Sequence, residues 1–147
     1  MTPYPAIEEL VPHAGGMILV DALVHWAKGE AICRMRIREG APFVHEGRVE
    51  AVVSMEYMAQ AVAACLGYEA LQGGEGVRVG MIIACKRFDA HVPSFAVGDA
   101  LDVHVKCIRG NDTLSHFACE VKREGRLCTD AVLTLLHAEK PPDEPAS

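Results

Sequence analysis

The chain predicts an α+β fold in which an antiparallel sheet curves around one long helix. Three observations lead there. A single stretch, residues 49–71, is rich in helix formers, lacks proline and is apolar on nearly every face. Two β-like segments precede it, and four follow it with turn residues between. A helix that is apolar all round needs cover on more than one side, which a curved sheet supplies.

The elements follow in order. Pro5, Pro12, Gly15 and Gly16 punctuate the first segment, which holds at most a helical turn around residues 6–10. Residues 17–26 read as a strand, and Ala27-Lys28-Gly29 as the turn of a hairpin. Residues 30–38 alternate cleanly: Cys33, Met35 and Ile37 face one way, Arg34, Arg36 and Arg38 the other. Residues 40–47 are a loop, and Gly73-Gly74 ends the long helix. Strands are expected at 77–88, 100–109, 115–122 and 126–138, with turns at Val97-Gly98-Asp99, Gly110-Asn111-Asp112 and Glu124-Gly125. Residues 1–138 form one domain in this reading, and the polar, proline-rich 139–147 is a mobile tail.

Composition narrows the function. The net charge of −6 argues against nucleic acid, since phosphate binding needs a basic face. The three alternating arginines read first as a solvated strand face, and second as a landing patch for an acidic carrier protein. The six cysteines form no CxxC pair and no zinc-ligand spacing with histidine, so they read as reduced core residues and no metal is expected. No window is long and apolar enough for a membrane span, and the N-terminus lacks the basic and apolar regions of a signal peptide. A cytoplasmic protein is expected.

Chemistry concentrates in the helix. Among its apolar residues stand Ser54, Glu56 and Gln60, and the last two share a face four residues apart. A carboxylate in an apolar helix is costly unless paired or neutralised. Burial would keep it protonated, which suits a general acid. Gln60, one turn on, is placed to orient it.

MEYMAQAVAA (residues 55–64) resembles the Glu-x-Met-Ala-Gln-Ala signature on the central helix of hot-dog 3-hydroxyacyl-[acyl carrier protein] dehydratases. LVPHAGGMILVDALVHW (10–26) resembles their opening Pro-His motif and first strand. HVPSFAVGDALDVHV (91–105) is similar to their turn before a second-half strand. The fatty-acid enzymes carry Gly-His-Phe-Pro-Gly ahead of the helix and Pro-Gly-Val at its start. Here PFVHEGRVEAVVSMEYM (42–58) stands instead, so the chain looks more like the divergent branch of aryl-polyene clusters.

The resemblance implies a hot-dog fold, no cofactor, and a homodimer joined edge to edge. It implies dehydration of 3-hydroxyacyl thioesters on acyl carrier protein, or on coenzyme A, to trans-2-enoyl thioesters. Glu56 would be the acid and Gln60 its orienting partner. The base would be His13, which matches the Pro-His motif, or His45, which lies near the family's catalytic histidine. Backbone N–H groups near residues 50–52 would hold the charge developing on the thioester oxygen. A hot-dog thioesterase and a non-catalytic acyl-binding accessory subunit are the competing readings.

Overall fold

The computed structural model describes residues 4–12, 15–73, 79–111 and 113–138. A six-stranded antiparallel sheet runs in the order β1 (Ala22–Ala27), β2 (Glu30–Arg36), β6 (Ala100–Gly110), β7 (Leu114–Arg123), β8 (Arg126–Ala138) and β4 (Val79–Ala90). A small second sheet pairs β3 (Arg48–Glu50) with β5 (Ser94–Ala96). The helix α1 (Ser54–Gln72) lies across the concave face, mainly over β6, β2 and β7. The hot-dog fold expected from the sequence is the fold observed. The proposed tail, 139–147, lies outside the described residues.

The alternation in each strand sets the register of the core. Cys33 and Met35 of β2, Leu101 and Val103 of β6, and Phe117 and Cys119 of β7 all point at the helix and are buried. No residue from Val53 to Ala70 is exposed, so the all-round apolar helix is covered on every side. Gly67 allows the closest contact: a Cβ there would lie 2.2 Å from the Leu10 carbonyl oxygen. Only the missing side chain lets the N-terminal segment rest directly on the helix.

Three elements depart from the sequence reading. The first strand starts at Ala22, not at residue 17, because Gly15–Met17 is a 3-10 turn and residues 18–21 run as an irregular strap along the helix. The helix starts at Ser54, after β3 and the 3-10 turn Ala51–Val53. The expected loop 40–47 ends in a tight hairpin: His45 and Arg48 exchange both backbone hydrogen bonds at 2.8 and 3.1 Å. Glu46 and Gly47, at φ 53 and 78, supply the two left-handed residues that such a turn requires.

The cysteines correct a further expectation. All six are free thiols, and Cys33, Cys65, Cys119 and Cys128 are buried as expected. Cys107 is half-buried, and Cys85 is exposed on β4, not in the core. Burial alone pushes the Cys33 thiol up to about 12. Such a thiol packs as a small apolar group and does not act as a nucleophile.

Candidate active site

Gln60 is the centre of a polar knot inside the apolar core. It is fully buried. Its Oε1 accepts from the Leu19 N–H at 2.8 Å and the Val20 N–H at 3.3 Å. Its Nε2 donates to the Met17 carbonyl at 2.7 Å and to Glu56 Oε2 at 3.1 Å. The strap therefore has its backbone groups satisfied by a side chain instead of a strand, which explains why β1 starts late. The same amide fixes the Glu56 carboxylate, one helical turn away.

Glu56 itself is half-buried, not enclosed as the sequence suggested. The helix turns it toward the strap, where the core gives way to solvent. Two of the predicted residues, Glu56 and Gln60, are thus brought into direct contact. His45 is not: its ring is exposed on the hairpin and makes no side-chain hydrogen bond among the described residues. His13 lies outside the described residues.

The start of the helix is also less open than expected. The Ala51 N–H donates to the Pro93 carbonyl at 3.1 Å, so it is not available to a substrate oxygen. Ser54 Oγ donates to the Ala51 carbonyl and shares a 2.8 Å hydrogen bond with Thr129 Oγ1 of β8. That buried pair ties the helix N-terminus to the sheet.

The remaining polar groups read as follows. Arg34 pairs with Asp102 at 3.0 Å and Arg38 with Asp21 at 2.9 Å, so two of the three alternating arginines are matched by carboxylates. Arg36 Nη1 donates to the Gly98 carbonyl at 2.9 Å. His91 meets Asp130 at 2.8 Å, and His116 meets Thr134 at 3.0 Å, on the outer face. Desolvation, with Lys122 second, lowers the pKa of His104. Among the described residues no group of three or more His, Cys, Asp or Glu is arranged to hold a metal. No described helix is long and apolar enough to cross a membrane.

Sequence reasoning missed a cavity of about 250 Å³ beside the strap. Ile18, Leu19, Met35, Val44 and Tyr57 give it apolar walls, and Asp21, Arg36 and Arg38 also line it. Tyr57 follows Glu56 in the chain, but no spacing rule assembles the other walls from four separate segments.

Comparison with known proteins places the chain. No functionally curated protein sequence matches it. Among solved structures, the dehydratase heterocomplex ApeI:P from Xenorhabdus doucetiae superposes with a TM-score of 0.87 at 20% identity, covering 93% of each chain. An uncharacterized protein from Pyrococcus horikoshii gives a TM-score of 0.69 at 15% identity, over 93% of this chain and 97% of that one. A hypothetical thioesterase with coenzyme A from Streptococcus pneumoniae gives 0.63 at 11% identity, over 80% and 84%. At these identities the likenesses establish the fold. A sequence model of the ApeP-like group, described as ApeP dehydratase, matches residues 5–145, and this chain belongs to that dehydratase family.

Proposed function

We propose that this chain removes water from 3-hydroxyacyl thioesters carried on acyl carrier protein, giving trans-2-enoyl thioesters, and works in the cytoplasm as a homodimer. The observation that carries the reading is the Glu56–Gln60–strap knot. Of the two half-buried carboxylates of the helix, Glu56 and Glu69, Glu56 is the one a fully buried amide holds in place, as the positioning of a general acid requires.

In the proposed reaction a histidine takes the proton from C2. The C2–H electron pair forms the double bond, the C3–O bond breaks, and Glu56 gives its proton to the departing hydroxyl. Base and acid are regenerated when the histidine's proton returns to Glu56. His13 is the preferred base because it stands four positions before Met17, whose carbonyl Gln60 holds. His45, on its exposed hairpin, is the alternative and would act on a partner's site.

The homodimer reading rests on β4. This twelve-residue strand is at the sheet's edge and exposes Ile82 and Ile83, at 38% and 50%. Bare apolar edges of this length invite pairing with another strand. Cys85 lies beside the midpoint of β4 and is exposed, so antiparallel pairing with a copy about a two-fold axis centred on Cys85 would set the two thiols opposite each other.

The test is turnover of 3-hydroxyacyl thioesters on carrier protein and on coenzyme A, read by mass spectrometry. Loss of water by the wild type, a drop of at least about a hundredfold in Glu56→Gln, and a matching drop in His13→Ala but not His45→Ala are expected. Release of free acid would instead establish a thioesterase, and no consumption of substrate an accessory subunit. Copper-catalysed oxidation should link Cys85 to its copy, giving a species of twice 15.9 kDa. A different partner chain on β4 is the alternative, the Xenorhabdus relative being a heterocomplex, and it would leave that band absent.

A further inference from the structure

Tyr57 carries a discrepancy that neither the fold nor the dehydratase reading uses. The residue is only 2% exposed. Its ring packs against Phe95 at 6.4 Å, tilted by 53°. Yet its hydroxyl makes no hydrogen bond to any described residue. Burial alone pushes that phenol up to about 12, so it stays a donor at any ordinary pH. Buried hydroxyls are nearly always paired, and one left alone is a cost to folding. Tyr57 is one of the residues that line the cavity of about 250 Å³ beside the strap.

The rest of the cavity specifies what would fill that space. Ile18, Met35, Ile37 and Val44 offer hydrocarbon. Arg36 also lines it, and its guanidinium has a carbonyl partner, Gly98, but no carboxylate among the described residues. Arg38 beside it is matched by Asp21, so Arg36 is the unmatched charge. A water takes about 30 Å³ of liquid volume, so the space suits a chain of roughly eight methylene-sized groups.

We propose that this cavity binds a medium-length apolar carboxylate with an oxygen at its far end, the carboxylate meeting Arg36 and the far oxygen accepting from Tyr57. Neither Glu56 nor Gln60 lines the cavity, whereas Ile18 and Leu19 of the strap do, so the site is distinct from the Glu56 carboxylate. The inference does not depend on the dehydratase reading. The ligand's source is either the distal part of an ω-carboxylated substrate acyl chain or a free acid acting as an effector.

Isothermal titration of the full chain with ω-hydroxyoctanoate, octanoate and octanediol tests it. The hydroxy acid should bind tightest, each parent compound binding about five- to tenfold more weakly, as expected for one lost hydrogen bond or ionic contact. Tyr57→Phe should level the hydroxy acid with octanoate, and Arg36→Gln should level it with octanediol. Glu56→Gln should leave all three affinities unchanged, which separates this site from the catalytic one whatever the reaction proves to be. Competition by the hydroxy acid against a long acyl thioester would identify the substrate's tail as the source, and a non-competitive change in turnover the effector. Absence of binding, or binding indifferent to both Tyr57→Phe and Arg36→Gln, overturns the proposal. Thermal unfolding adds a readout independent of any ligand. Tyr57→Phe should be neutral or stabilising, and a clear loss of stability would mean that the hydroxyl is satisfied by trapped water and the cavity is only hydrated.

Discussion

The sheet has two edges, and the chain treats them differently. At the β1 edge the strand is short, six residues against twelve in β4. The N-terminal segment closes it. The Trp26 N–H donates to the Tyr4 hydroxyl at 3.1 Å, so a side chain occupies a donor that a neighbouring strand would otherwise seek. Tyr4, Tyr68 and Trp26 then pack edge to face at 5.2 and 5.0 Å, and the indole N–H donates to the Cys65 carbonyl at 3.0 Å. At the β4 edge nothing comparable occurs among the described residues. Residues 82–87 are all exposed, and the register shifts twice, between Ile82 and Ala84 and between Cys85 and Arg87. Bulges and charges such as Lys86 and Arg87 discourage indiscriminate pairing while leaving room for a matched partner. One edge is finished by its own chain, and the other is suited to a second one.

Substitutions at each edge should separate the two. At the open edge the effect is expected on association, not on the monomer's fold. Ile83→Lys should raise the dimer dissociation constant by at least about a hundredfold, as loss of an apolar interface anchor does. It should leave the unfolding free energy of the monomer within about 0.5 kcal/mol. Analytical ultracentrifugation beside chemical denaturation reads both, and an unchanged dimer would remove β4 as the interface.

At the closed side, Gln60→Met keeps the volume but orphans the Leu19 and Val20 amides and the Met17 carbonyl. At roughly 1 kcal/mol or more for each stranded group, a loss of about 4 kcal/mol is expected. Gly67→Ala drives a methyl into the Leu10 carbonyl, and overpacking of this kind should cost about 3 kcal/mol. A Tm lowered by less than about 3 °C would show that the N-terminal segment simply moves away. Tyr4→Phe should have the smallest effect, about 1 kcal/mol, because it takes one acceptor from the Trp26 amide.

The sequence revealed what depends on local pattern and hid what depends on competition between distant groups. Strand alternation in 30–38, 100–109 and 115–122 was legible because one face of each strand meets the core. Glu124-Gly125 was legible as a hairpin because long alternating runs flank it. The same dipeptide at Glu46-Gly47 makes a turn with the same φ values, but its surroundings carry no hairpin pattern. Its flanking strand β3 is only three residues long, too short to show a period. Glu56 and Gln60 stood out as polar residues in an apolar helix. Their contact follows from the helical repeat, whereas the strap that Gln60 binds lies about forty residues away in sequence. Residues 17–26 have strand propensity throughout, and only the demand of a buried amide turns their first half into something else.

The strap's attachment also bears on time. Its hydrogen bonds to Gln60 span 40 to 43 positions, so they form only after a long loop has closed around an existing helix. Once formed, the Leu19 and Val20 amides are bonded not to a neighbouring strand that can fray but to the interior of the molecule. Their hydrogen exchange should therefore be as slow as that of the α1 backbone, even though they lie in a segment with no regular secondary structure. A labelling experiment would record strap and helix opening together.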